Sequence, residues 1–242
     1  MTQLDTSKIS QHISQQFNVE LEDVRQRVLT MGGLVERQIT DAIRALTDSD
    51  GALGQKVAQR DVEVNAFEVG IDEDCTRILA RRQPTAGDLR LVVAIIKTIT
   101  DLERIGDEAE KIARLAATLA SEGRFEKGYD AVENLSRHVR YMVRDALDAF
   151  ARMDTEAALK VAKEDAKVDR EHVAILRQCV TYMMEDPRTI SRVINLMWCV
   201  RALERMGDHA SNIAEYVIYL VEGKDIRHTR REDLDEELEK NR

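Results

Sequence analysis

The chain repeats itself, and that limits what it can fold into more than any other feature. The segment Leu102-Glu103-Arg104-Ile105-Gly106-Asp107 returns as Leu203-Glu204-Arg205-Met206-Gly207-Asp208, 101 positions later. Other landmarks return in the same order. Pro84 and Pro187 are 103 apart, Cys75 and Cys179 are 104 apart, and Glu122-Gly123 recurs as Glu222-Gly223 after 100. Ala58-Gln59-Arg60-Asp61 through Val64-Asn65 is matched by Ala162-Lys163-Glu164-Asp165 through Val168-Asp169. Five landmarks in one order, at offsets of 100 to 104, define a tandem duplication, so one supersecondary unit is built twice.

The unit is helical. Ala, Leu, Glu, Arg and Lys dominate, aromatics are only 4 %, and there are two prolines in 242 residues. These are helix formers, and all-β folds need more turn and β-branched chemistry than this. The punctuation divides each copy into three helices, near 18–48, 52–82 and 86–121, then 128–153, 155–185 and 188–222. Thr85 is placed to cap the third helix, with Asp88 near its positive end. Asp186-Pro187 reads as a cap followed by proline at the first helical position. Gly123 and Gly223 stand where a left-handed residue would end each third helix. Leu89, Val92, Ile96 and Ile99 give the third helix a core-facing stripe. A helix of about 30 residues is about 45 Å long, so each copy makes an elongated three-helix bundle. The fold class is all-α: a first bundle over 17–124 and a second over 125–223, flanked by a mobile N-terminus (1–16) and a mobile charged tail (224–242).

Composition excludes several functions. The net charge is −9, with no basic cluster interleaved with aromatics, so nucleic acid is not expected as a partner. No apolar run approaches the ~20 residues that span a bilayer. The N-terminus lacks a signal-peptide pattern, and the odd count of cysteines (Cys75, Cys179, Cys199) without a C-x-x-C pair reads as reduced thiols in the cytoplasm. No phosphate loop, nucleophile elbow or Cys/His arrangement stands in the sequence. Met183, Met184, Met197 and Trp198 are expected in the core. The mid-helix glycines Gly32, Gly33, Gly106 and Gly207 mark either close helix approach or tolerated weak spots.

The chemistry that remains is carboxylate. Glu103 and Asp107 are four apart on one helix face, as are Asp61 and Asn65 on the preceding helix. Counted from Pro84, Asn65 is 19 before and Glu103 is 19 after, while Asp61 and Asp107 are each 23 away. An antiparallel hairpin therefore brings Asn65 level with Glu103 and Asp61 level with Asp107. Around Pro187, Asp169 comes level with Glu204 and Asp165 with Asp208. If these groups face one another, like charges 4 Å apart repel by roughly 1 kcal/mol in water and about 4 at an effective dielectric of 20. A cation, raised pKa values or arginine must offset that. An oxygen-rich set suits Mg²⁺, Mn²⁺ or Ca²⁺, with iron and zinc also open. The alternative is salt bridging, with Arg104 and Arg205 pairing locally to Asp107, Glu108 and Asp208. His172, three after Asp169, is on the same face. His209 points about 100° away from Asp208. His12, His138 and His228 have no ligand-like spacing.

Taken together, several segments resemble PhoU, the accessory proteins of the bacterial phosphate-specific transport system. They are Met31-Gly32-Gly33-Leu34-Val35-Glu36, Ile71 to Cys75, Ala80 to Arg90, and both Leu-Glu-Arg-Ile/Met-Gly-Asp segments. The resemblance runs from about His12 to His228. It implies two similar three-helix bundles, a cytoplasmic location, and self-association as a homodimer. It also implies a negative regulator of the phosphate-starvation response, working with the phosphate ABC transporter and a membrane sensor histidine kinase. The family's metal motif, E/D-x-x-x-D, maps onto Glu103/Asp107 and Glu204/Asp208, paired with Asp61/Asn65 and Asp165/Asp169. Asn65 departs from the acidic form, which implies weaker binding, or a different ion, at the first site. Two rival classes stay open. One is a metal-dependent carboxylate enzyme, against which the missing Glu-x-x-His spacing speaks. The other is a metal-free helical scaffold whose acids serve its helices.

Overall fold

A computed structural model describes the backbone of residues 6–82, 84–123 and 127–226, with side chains from residue 16. It has six long helices in chain order: α1 (Thr6–Thr47), α2 (Gly51–Arg82), α3 (Ala86–Ser121), α4 (Tyr129–Arg152), α5 (Thr155–Glu185) and α6 (Ile190–Glu222). A 3-10 turn, Pro187–Thr189, leads into α6. Among the described residues there is no strand. The spacing places the start of α1 near residue 18, yet the helix begins at Thr6, so Thr6 to Gln16 extend α1. The other mobile ends expected from the sequence, residues 1–5 and most of the tail, lie outside the described residues.

The two copies are built alike down to their turns. Ser49 and Met153, 104 apart, both take left-handed backbone after the first helix of their copy, at φ 56° and 55°. Asp50 then accepts from the Leu53 amide and Asp154 from the Ala157 amide, each at 2.9 Å, which caps the second helix of each copy. Asp186 caps the turn at Pro187 as its sequence suggests, accepting from the Arg188 amide at 3.1 Å. Gly123 and Gly223 are left-handed at φ 87° and 72°. Thr85, by contrast, makes no side-chain cap; its hydroxyl is turned to the Asp88 carboxylate at 3.4 Å.

Within each half the three helices pack around an apolar stripe. In α3 the stripe is Val92, Ile95, Ile99, Leu102 and Ile105, all buried. Leu89, assigned to it from spacing, lies outside at 42 % exposure because the stripe drifts away from it by the first turn of the helix. Met184 and Trp198 are also exposed rather than core, on the outer faces of α5 and α6 near their connecting turn. The three cysteines are free and buried.

The halves meet along α3 and α6 and along α1 and α4. The α3–α6 contacts fix their direction: Lys97 lies over the Tyr216 ring (5.3 Å), Asp101 meets His209, and Glu108 meets Arg205. Numbers rise on one helix as they fall on the other, so the pair is antiparallel. Along the second seam, Gly32 of α1 lies where a β-carbon would come 2.5 Å from Leu147 Cδ1 of α4. Close approach therefore accounts for Gly32, and one apolar core runs through both bundles. No described helix is long and apolar enough to cross a membrane.

Candidate metal centre

The hairpins bring their acids together, and they do so differently in the two halves. In the second, one carboxylate oxygen each from Asp165, Asp169 and Asp208 lies within 4.8 Å of the others. Ligands around a shared hard cation at 2.0–2.6 Å are at most roughly 4–5 Å apart, so the spacing fits. Asp165 is 1 % exposed. Its Oδ1 is enclosed and accepts no hydrogen bond, although the residue makes other polar contacts. Gly207 brings α6 close enough that a β-carbon there would lie 3.6 Å from that same oxygen and 3.2 Å from Val168 Cγ1. Glu204, one turn before Asp208, adds its charge to the group. Burial first, then Glu204 and Asp169, push the Asp208 carboxyl up to about 6, against the opposing pull of His209 and Arg205. The set is oxygen-only and the site faces a cleft lined by Asp165, Asp208 and Ser211. Asp165, Asp169 and Asp208 would hold Mg²⁺, Mn²⁺ or a similar hard ion, with Glu204 beside them.

In the first hairpin Asp61 is occupied by amides. Gln38 of α1 donates to its Oδ1 at 2.8 Å and Asn65 to its Oδ2 at 3.1 Å. Asn65, expected level with Glu103, thus serves Asp61 on its own helix. Burial, with Asp107 and Glu68 next, raises the Glu103 carboxyl above its usual value. Burial and then Asp61 do the same to Asp107. Gly106 allows the approach here, as Gly207 does in the second half: a β-carbon would meet Val64 at 3.2 Å and Asp61 at 3.4 Å. Among the described residues, only the second hairpin gathers three acid ligand atoms this tightly.

Two residues of this constellation escape a reading of the sequence. Glu68 acts on Glu103, and its own carboxyl is raised by burial. It stands 104 before His172, so the duplication held the signal. Gln38 comes from the first helix, whose rotation about the hairpin no count around Pro84 can fix. Of the two arginines, Arg104 pairs locally as expected and Arg205 does not. Arg104 sits 3.6 Å from Glu103 and 3.9 Å from Asp107, whereas Arg205 crosses the seam to Glu108 at 2.5 Å. His138 is bound to Glu171 at 2.8 Å.

Known proteins share this fold. The chain is 56 % identical over 239 residues to the phosphate-specific transport system accessory protein PhoU homolog of Pseudomonas aeruginosa, with 99 % of each chain covered. It is 49 % identical over 235 residues to the accessory protein PhoU of Escherichia coli, covering 97 % of each. The crystal structure of PhoU from Pseudomonas aeruginosa superposes with a TM-score of 0.84 at 58 % identity, over 86 % of this chain and all of that one. The phosphate transport system regulatory protein PhoU of Streptococcus pneumoniae gives 0.80 at 28 %, over 86 % of this chain and 98 % of that one. The family model described as PhoU domain matches twice, at residues 28–116 and 132–217. The duplication read from the sequence is thus a duplicated domain, and the chain belongs to the PhoU family.

Proposed function

We propose that this protein is a cytoplasmic regulatory adaptor that restrains phosphate uptake and the phosphate-starvation response, and that the second hairpin holds a divalent cation. Membership of a family of phosphate-transport accessory proteins supports the regulatory role. The observation that carries the cation is the set of Asp165, Asp169 and Asp208 oxygens within 4.8 Å of one another. Such a set repels itself unless a positive charge is shared among its members. Its task is to hold α5 to α6, so that the outer faces of a rigid bundle can be presented to a phosphate ABC transporter and a sensor histidine kinase. A homodimer would present those faces in pairs. Membership of a family of accessory proteins supports a role in binding rather than turnover.

The test is metal content after purification without an affinity tag or chelator, in wild type and in Glu204→Ala/Asp208→Ala. Stoichiometric Mg, Mn, Fe or Zn in the wild type, lost in the double variant, supports the centre. Protein that is metal-free and cannot be loaded refutes it. The regulatory half is read separately: a strain lacking the protein should express its phosphate-starvation genes in phosphate-rich medium, and the cloned gene should silence them.

A further inference from the structure

The first two helices of each half correspond position for position at an offset of 104, and the correspondence exposes one substitution of chemical consequence. At the offset of 104 that relates Asp61 to Asp165, Gln38 corresponds to Met142. The grooves flanking the two residues show that the correspondence is spatial. Leu34, Gln38, Val57 and Val64 line the groove between α1 and α2, and His138, Met142, Val161 and Val168 line that between α4 and α5. Every member of one set is 104 positions from its counterpart.

Gln38 is 6 % exposed, and its amide nitrogen reaches Asp61 Oδ1 at 2.8 Å and the Gly106 carbonyl at 3.4 Å. Both partners are acceptors, which fixes the amide with its nitrogen inward. One side chain of α1 thus ties α2 to α3. Asn65 then supplies the other Asp61 oxygen at 3.1 Å. In the second half the same two positions are Met142 and Asp169. A thioether donates no hydrogen bond, and an aspartate adds a charge where Asn65 adds a donor. The α4–α5 groove is also the larger, at about 610 Å³ against about 260 Å³.

The geometry points to Gln38 as a positioning residue that stands in for a cation in the first hairpin, leaving the second as the one half of the molecule whose closure depends on a cation. This rests on the cation reading above and deepens it: the duplicated sites have divided into a permanently fastened half and an ion-dependent half. Ion occupancy is then felt by α4, α5 and α6, not by α1 to α3.

The experiment exchanges the two pairs of residues and uses Mn²⁺ as probe, reading bound Mn²⁺ per chain by equilibrium dialysis and the Tm with Mn²⁺ or with EDTA. Wild type should bind Mn²⁺ at the second hairpin only, so that Asp165→Asn loses it and Asp61→Asn keeps it. Gln38→Met/Asn65→Asp should lower the Tm in EDTA, regain it with Mn²⁺, and about double the bound ion. Met142→Gln/Asp169→Asn should lose the ion and make the Tm indifferent to EDTA. A residue that only packs the core would lower the Tm equally with and without Mn²⁺. Equal loss of Mn²⁺ in Asp61→Asn and Asp165→Asn overturns the inference while leaving the cation reading intact, and these single variants decide the matter if an exchanged pair fails to fold. Exchanges that fold but move neither the ion nor the EDTA response also overturn it. Wild type that takes up no Mn²⁺, Mg²⁺, iron or zinc defeats the cation reading itself.

Discussion

His209 Nδ1 lies 2.6 Å from Asp101 Oδ1, across the seam between the two bundles. Asn212 donates to the same oxygen at 3.2 Å, and one turn along the seam Arg205 meets Glu108 at 2.5 Å. The duplicated positions of Asp101 and Glu108 are Ala202 and His209, so the acids of this clasp come only from the first half and its bases from the second.

The clasp is a polar contact at the edge of an apolar seam, which sets its worth. Glu108 is buried, but Arg205 is 43 % exposed and would find water if released. Glu108→Ala should therefore cost about 1–2 kcal/mol, within the range for a charged hydrogen bond lost without stranding its partner. Chemical denaturation should read this as a lower midpoint at unchanged slope. A loss of the cation at the second hairpin in the same variant would mean that the clasp and the site are coupled.

Two helical glycines should respond in opposite directions to alanine, because one is packed against backbone and the other is not. At Gly54 a β-carbon would come 2.5 Å from the Ala113 carbonyl oxygen, on the backbone of α3, which cannot step aside. Gly54→Ala should destabilise by about 1–3 kcal/mol, lowering the Tm by roughly 2–4 °C per kcal/mol for a chain of this size. At Gly33 the nearest atom is the tip of Arg37 at 3.8 Å. Gly33→Ala should raise the Tm, by up to about 1 kcal/mol of helix propensity.

Stability of the metal-free protein should fall as pH rises through the window from about 4 to 6. The carboxyl of Asp208 moves up from 3.8 to about 6 on folding, so across that window the folded chain keeps a proton that the unfolded chain has lost. The penalty is complete above about pH 6 and absent below pH 4. Glu103 and Asp107 are shifted in the same direction. Thermal melts in EDTA at pH 5 and pH 7 should separate for wild type and draw together in Asp208→Asn. An unchanged separation in that variant would remove Asp208 as the cause.

All three thiols should resist reagents in the folded state. Burial pushes Cys75 and Cys199 up to about 12 and raises Cys179 as well, so almost no thiolate exists at pH 8 and little surface is offered. Ellman's reagent should find none of the three in native protein and all three in denaturant. Rapid reaction of one would locate a site of local opening.

Much of this was legible in the sequence because the duplication supplies each signal twice. The proline turns, the left-handed glycines and the Asp186 cap marked five of the six helices to within about two residues, while α1 ran past the start that its pattern suggested. The count around Pro84 and Pro187 could place acids at one level, since it needs only the rise per residue. It could not place Gln38, because the rotation of a third helix against a hairpin is set by packing over its whole length. Met184 and Trp198 misled for a related reason: apolar character signals burial only where another helix is there to cover it.

The unbroken core has a consequence for how such a duplicated chain can change. Two copies that each closed on themselves could be lost, shuffled or inactivated one at a time. Here α3 and α6 are each other's packing surface, so neither copy is a module in its own right, and heating should give one cooperative transition rather than two. Divergence at positions such as 38 and 142 is then tolerated, because a single side chain there alters how a half is fastened without altering what it rests against.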